Sequence, residues 1–456
     1  MHPARHNLPL NPHYLDKVMD VAEQMSVEVI VDILDVRGMK LVSKGTQVTR
    51  ALREKLIVHK LMRPFEASVR VVGGVDRNAV ALIAQRLAET SAPVAGLLAN
   101  TAGSGPGPLE ILSQLEFGSA MALMLTASDR AGGSPLEHAV LVSLLSICMA
   151  RTLRLGEQDQ VVAGLAGLLH DVGELYVDPR YLARGKRLLP HEWSHVVVHP
   201  RIGQMLIDEL EAFPPAVGRA VAEHHERFDG TGYPRQLAGG QISGPGQAVG
   251  VAEMIAGLLL KDHPLERAEL ALKIMPGEHA PQLLSAICGA GRHCHRQDAA
   301  PAARWQNGES VPGLAARIAA IIKLGHRLLE GPAAKSERTC KLLQSTLERV
   351  RKVQRAFAST GLDAYLQPLA FGAASDEALL FEKDVASREL QWRLRDIARD
   401  LALQTDTPDE KVVLASLVNL LDNDDGIMEP ARVPAVPQLC RPGQAAARPG
   451  GLQRLA

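Results

Sequence analysis

Two kinds of hydrophobic pattern divide the chain. Between residues 27 and 71, VEVIVDIL and KLVSKGTQV carry β-branched residues around the turn signal DVRGM, which predicts strands. TRALREKLIVHKL then predicts a short helix and ASVRVVGGV another strand, and residues 77–98 turn helical. ANTAGSGPGP, residues 99–108, reads as a Gly/Pro/Ser linker. Beyond it, apolar residues recur three and four positions apart in LEHAVLVSLLSICMARTL, QVVAGLAGLLHDVG, HPRIGQMLIDEL and AVGRAVAEHH. Strand signals nearly vanish there, so a domain built of helices is expected to about residue 292. DAAPAARWQNGES, residues 298–310, reads as a second linker. Residues 312–332, 335–360 and 374–422 are predicted helical, ahead of a Pro/Ala/Gly-rich tail. The division that follows is a small α+β regulatory module (1–98), a helical domain (109–295), a C-terminal helical region (311–425) and a disordered tail (426–456).

Composition sharpens this only in part. The chain has 456 residues, enough for about three units of ~150. Hydrophobic residues make up 46% but aromatics only 3%, so Leu, Ala, Val and Ile must fill the cores. A net charge of −1 gives no global pull toward DNA or an anionic membrane. Five dispersed cysteines suit reduced thiols better than a disulfide framework. The first residues lack the apolar stretch of a signal peptide, and the apolar run at 139–150 is too short to cross a bilayer. A cytoplasmic protein without a membrane span is the expectation.

The candidate chemistry lies in the helical domain. His224 and His225 stand together in EHHERFDGTGYP, residues 223–234. His170 and Asp171 are adjacent in LLHDVGE, His138 lies in PLEHAV, His199 in VVVHPRIG and Glu253 in GVAEMIA. Each sits in, or ends, an apolar helical pattern, where an unpartnered polar group is costly. Any one of the 16 histidines is more often an ordinary surface or core residue. The ordered set on successive predicted helices points instead to a shared metal centre. Imidazole with carboxylate suits Mn, Fe or Zn. Two such ions about 3.5–4 Å apart can hold a bridging hydroxide and clamp a phosphoryl group, stabilising charge on its oxygens.

HDVGE, HPRIG and HHERFDGTGYP resemble the HD-GYP family of HD-superfamily metal-dependent phosphohydrolases, over roughly residues 130–290. The spacing agrees: 32 residues from His138 to His170, 28 from Asp171 to His199 and 28 from His225 to Glu253. The resemblance implies a mainly α protein, an all-helical HD-type domain with a small N-terminal β-rich module and a C-terminal helical region. It implies hydrolysis of cyclic di-GMP or a related phosphodiester by a metal-bridged hydroxide. The implied metal ligands are His138, His170, Asp171, His199, His224, His225 and Glu253, with His170 and Asp171 as the catalytic pair. Two divalent transition-metal ions are implied, Fe or Mn before Zn. Glu253 stands where the family usually has aspartate, and Ser134 where some members place a third-metal glutamate, so a dinuclear site is expected. The loop of Gly232, Tyr233 and Pro234 is implied as a docking surface for diguanylate cyclase domains, with a purely structural turn as the alternative. Glu226, Arg227 and Asp229 are expected to organise that turn or support the ligands. A homodimer is left open.

The same pattern breaks where it would bind phosphate. Glu174 replaces the lysine of the family's HDxGK, and Gln247, Ala256 and Asp262 replace an arginine, an acid and a phosphate-binding arginine. Lys261 beside Asp262, and Arg184, Lys186 and Arg187, are candidates to rebuild the cationic clamp. The alternative is a weak or inactive signalling scaffold that keeps metal or partner binding. HEWSH (191–195) matches the HExxH zinc-protease pattern, but it falls at a predicted helix start rather than mid-helix. Cys288, His293, Cys294 and His295 lack the second paired knuckle of a zinc ribbon and read as a chance cluster.

Overall fold

The computed structural model describes residues 10–101, 105–130, 135–183, 188–210, 213–259, 264–274, 277–283, 287, 310–331, 336–359 and 377–422. It is mainly α, with two small antiparallel sheets near the start. A helix, α1 (Pro12–Gln24), precedes the strands that the β-branched runs predict. The Asn11 side chain caps it by accepting from the His13 and Tyr14 amides, and Pro12 sits at its first turn. Its buried face is Tyr14, Leu15, Val18, Met19 and Val21, a helical spacing.

β1 (Val27–Val29) pairs with β4 (Val69–Val71), Val27 opposite Val71. β2 (Ile33–Leu34) pairs with β3 (Lys40–Val42). Helix α2 (Ala51–Ile57) lies between β3 and β4 in the chain. Then come α3 (Arg77–Thr90), α4 (Ala92–Asn100), α5 (Pro108–Ser113) and α6 (Ser119–Arg130). The expected linker is pinned at both ends: the Arg151 guanidinium donates to the carbonyls of Thr101 (3.1 Å) and Pro106 (2.7 Å).

Helix α7 (Pro135–Thr152) is the axis of the next layer, packed against α8 (Glu157–Leu169) and α11 (Gly244–Leu259). Helices α9 (His199–Leu210) and α10 (Pro215–Glu223) pack on each other and complete the shell. Ser143, Leu144, Leu145, Ser146, Ile147 and Cys148 are all fully buried, so α7 is enclosed all round its middle, and its two serine hydroxyls donate to the Gly164 and Val142 carbonyls. A single buried cluster runs from Tyr14 to Ile287 and joins the N-terminal elements to these helices.

A second cluster, from Ile274 to Leu421, belongs to the C-terminal region. It is built by α13 (Val311–Glu330), α14 (Glu337–Ser359), α15 (Glu377–Gln404) and α16 (Pro408–Asp422). Helix α12 (Pro264–Ile274) packs against both α11 and α15 and so bridges the two bodies. Among the described residues no helix is long and apolar enough to cross a membrane. Residues 298–309 of the expected second linker, the tail 426–456, Ser134, Cys288, His293, Cys294 and His295 lie outside the described residues.

Candidate metal centre

Three of the histidines are placed by one backbone device. His170 ends α8, His224 ends α10, and His199 follows the turn at Val196. In each, Nδ1 lies on the carbonyl three residues back: Gly167 at 2.8 Å, Val221 at 2.6 Å and Val196 at 2.8 Å. Those carbonyls lie where a helix or turn stops, and that of Val196 also accepts the His199 amide at 3.0 Å. A carbonyl can only accept, so Nδ1 carries a proton, and in the neutral ring Nε2 presents its lone pair.

The Nε2 atoms converge. His199 Nε2 lies 3.3 Å from His224 Nε2. Asp171 reaches both sides of the group: one carboxylate oxygen is 3.0 Å from His170 Nε2, the other 3.4 Å from His199 Nε2 and 3.8 Å from His224 Nε2. Glu253, from α11, places one oxygen 2.9 Å from His138 Nε2 and 3.1 Å from His170 Nε2. Two donor sets result, His138–His170–Asp171 and Asp171–His199–His224–His225, each with its donor atoms within 4.8 Å of one another. Asp171 belongs to both.

These residues fit a metal. His170 Nε2 and the Glu253 oxygen that faces it are fully buried, yet neither has a well-aligned hydrogen-bond partner. Two buried polar atoms left this way are costly unless something else meets them. The electrostatics of the two sets differ. Burial and then the neighbouring His199 and His170 push His224 down to about 3, and burial followed by His224 lowers His225 well below the usual imidazole value. Although burial opposes it, Asp171 and Glu253 raise His170 well above that value. His224 and His225 are thus held neutral, the state in which imidazole coordinates a cation, whereas at His170 the two carboxylates favour a positive charge of the kind a cation would supply.

Close packing explains the glycines of the motifs. A Cβ on Gly173 would lie 2.0 Å from the His199 carbonyl oxygen, so the HDVG turn can seat against the start of α9 only without a side chain. A Cβ on Gly232 would lie 2.3 Å from the Arg227 amide nitrogen, and Gly230 has φ of +80°. The loop so folded presses the Tyr233 ring flat on His225, with centroids 4.6 Å apart. Glu226 braces it from below by accepting from the Arg235 amide (2.7 Å) and the Leu237 amide (2.9 Å), and Asp229 accepts from the Thr231 amide and hydroxyl. Tyr233 is half-buried and Gly232 buried, while Pro234 is exposed.

The cationic clamp does not reappear among the described residues. Gln247 donates to the Ile242 carbonyl at 3.0 Å, and Ala256 is buried. Burial, and then the Asp171 carboxylate, raise Glu174 to about 7. Its charge, expected to repel phosphate, is thereby partly removed near neutrality. Arg184, Lys186, Arg187, Lys261 and Asp262 lie outside the described residues. HEWSH forms a short 3-10 turn at Trp193–His195, not a helix, and His195 stacks on Tyr181 at 4.4 Å.

Three residues near the centre carry no local signal, and a fourth, Glu223, shows in the sequence only as an acid beside His224. Glu223, fully buried at the end of α10, accepts from Arg219 (2.8 Å) and the Ser243 amide (2.8 Å) and so ties α10 to the start of α11. The others are Glu278, Trp392 and Arg393. Arg393 of α15 grips Glu278 with two bonds, 3.0 and 2.7 Å, and Arg227 of the histidine loop meets Asp396 of α15 at 3.1 Å. Flanking acids at His224–His225 are visible in the sequence; the contact from Arg227 to Trp392 is not.

Residues 122–280 match the family model described as HD domain. A cyclic di-GMP phosphodiesterase of Pseudomonas aeruginosa is 41% identical over 106 residues, 23% of this chain and 26% of the relative. A 3'3'-cGAMP-specific phosphodiesterase of Vibrio cholerae is 34% identical over 106 residues, 23% of each chain. A cyclic di-GMP phosphodiesterase response regulator of Xanthomonas campestris is 34% identical over 112 residues, 24% of this chain and 30% of the relative. The chain spans less than a third of the length of these relatives.

Proposed function

We propose that the HD-superfamily phosphohydrolase domain at residues 122–280 hydrolyses a cyclic dinucleotide, cyclic di-GMP or a 3'3'-cGAMP-type relative, with two divalent transition metals. The observation that carries this reading is Asp171, whose two carboxylate oxygens face two separate histidine sets. His138, His170 and Asp171 would hold one ion, with Glu253 beside them. Asp171, His199, His224 and His225 would hold the other. Bound there, the ions supply positive charge for the phosphoryl oxygens and a water acidic enough to attack phosphorus near neutral pH. The protein contributes orientation. The backbone carbonyls under His170, His199 and His224 keep their Nε2 atoms inward before any ion arrives, and Tyr233 covers one face of His225.

Iron or manganese is the preferred metal, with zinc admissible, and dinuclear rather than trinuclear occupancy is proposed. The test is direct. The protein loaded with Mn(II) or Fe(II) is assayed for metal content and for hydrolysis of cyclic di-GMP and 3'3'-cGAMP, against His170→Ala/Asp171→Ala. About two ions per chain and hydrolysis lost in the double variant support the reading. Metal-loaded protein that leaves both nucleotides intact refutes it. The second reading, a signalling scaffold without turnover, is favoured by Glu174 in place of a lysine and by Gln247 committed to the Ile242 carbonyl. Metal bound with neither nucleotide cleaved would select it. Docking of diguanylate cyclase domains at Gly232–Pro234, and a homodimer, belong to either reading.

A further inference from the structure

We infer that helix α15 of the C-terminal region completes the substrate site, with Trp392 as a platform on which a nucleobase stacks. The inference rests on the phosphodiesterase reading and names how its substrate is recognised. A cavity of about 330 Å³ opens beside the candidate metal ligands. His224, His225 and Glu253 line it, and so do Trp392 and Arg393, from more than a hundred residues further along the chain. Its volume falls in the range of small-molecule sites, ~300–1,000 Å³.

Trp392 is out of character for its helix. It is 38% exposed, while Leu390, Gln391, Arg393 and Leu394 around it are buried. An exposed indole beside a metal-type donor set suits a ligand with a flat face. The ring is also held. The Arg227 guanidinium lies 4.7 Å from its centroid and that of Arg393 5.5 Å. Both arginines are fixed by carboxylates, Arg227 by Asp396 at 3.1 Å and Arg393 by Glu278 at 2.7 Å. They therefore fix the indole rather than serve as free phosphate clamps. On the α11 wall, nothing lies within 4 Å of where a Gly257 Cβ would stand, so the cavity keeps room there.

One cavity thus joins donors suited to a metal-bound phosphodiester and an aromatic face suited to a base. A nucleotide has both parts, and base-on-aromatic stacking tolerates any base. The C-terminal region supplies binding that the eroded cationic positions do not. Only a diester that carries a base should feel Trp392.

The experiment uses the full chain. Trp392→Ala is expected to raise KM for cyclic di-GMP about 10-fold with kcat within about two-fold, and Trp392→Phe to restore most of the loss. Binding of cyclic di-GMP to the metal-free protein, by calorimetry, should weaken by the same factor. Binding of an abasic ribose dinucleotide should not change. In a Trp193→Phe/Trp305→Phe protein, Trp392 is the remaining indole, and cyclic di-GMP should quench its fluorescence. That readout does not depend on the folding of Trp392→Ala. Unchanged KM and binding in Trp392→Ala, or no quenching, overturns the inference while hydrolysis by the parent protein leaves the function standing. Quenching and Trp392-dependent binding without cleavage would do the reverse. Absence of nucleotide binding to the parent protein overturns both.

Discussion

The two regions that flank the histidine domain are attached to it by different physics. The N-terminal elements share its core: Tyr14, Leu15, Phe65 and Val69 lie in the same buried cluster as Val140 and Leu168. The C-terminal helices keep a core of their own and, apart from Ile274 of α12, which joins that core, reach the domain through charged and aromatic contacts. These include Arg393–Glu278, Arg227–Asp396, Lys352–Asp229 and Gln236–Asp400. Apolar contact is non-directional and holds over a wide area. Ion pairs are directional, and their worth depends on burial. The N-terminal part should therefore rise and fall with the domain, and the C-terminal part should part from it through a few residues.

The largest effect should come from the shared core. Phe65→Ala removes a ring that is 1% exposed and should cost about 3–5 kcal/mol. In a Trp305→Phe/Trp392→Phe background, urea unfolding followed by circular dichroism and by Trp193 fluorescence should move together. A separate early transition, with the histidine domain untouched, would break the comparison on its N-terminal side.

Next is Glu278→Ala. It strips Arg393 of its two-bond partner at a site where both side chains are 6% exposed. Glu389 remains as a partner at 2.8 Å, so a loss on the order of 3 kcal/mol is expected, in the attachment of the C-terminal helices. Limited proteolysis between the two bodies should become faster while the melting of the first cluster stays near its original point. The same pair predicts a pH window. Burial alone would raise the Glu278 carboxyl, but Arg393 and then Arg227 hold it at about 2, below its ordinary 4.5. A carboxyl depressed by folding stabilises above its unfolded pKa and loses that contribution as the pH falls. The attachment should accordingly weaken between pH about 4.5 and 2. Attachment that is constant through this window would remove Glu278 as its anchor.

A smaller effect runs the other way. The Tyr14 hydroxyl is buried without a hydrogen-bond partner among the described residues, although its ring stacks on Tyr176 at 4.8 Å. Tyr14→Phe keeps the stacking and deletes the stranded group, so stability should rise by about 1 kcal/mol. A fall would mean that the hydroxyl is satisfied. The smallest effect belongs to Lys352→Ala. Its pair with Asp229 is 3.4 Å long and its side chain is 37% exposed. A change under about 0.5 kcal/mol, shrinking further in high salt, is expected; a loss several times larger would show that the rim matters as much as Glu278.

The seven candidate ligands were legible because coordination demands particular side chains, and helical packing sets how far apart in the chain they stand. His138, His170, Asp171, His199, His224, His225 and Glu253 could be picked out as residue types on apolar patterns, and the structure gathers them in one place. Most helices were legible for a related reason, since a period near 3.6 is local. Helix α1 is less legible: its apolar spacing is helical, but it spans only 13 residues and stands directly before the stronger β-branched runs.

By itself, then, the sequence determined the helical character of the protein, the candidate donors and the glycines its turns require. Only the tertiary structure decided that Asp171 stands between two histidine groups, that the N-terminal elements share the domain's core, and that Trp392 and Arg393 reach the cavity beside His225. The reason is physical. Periodicity and turn chemistry act over a few residues, whereas the contact between residues 227 and 392 depends on how two separately packed bodies meet, and no local pattern encodes that.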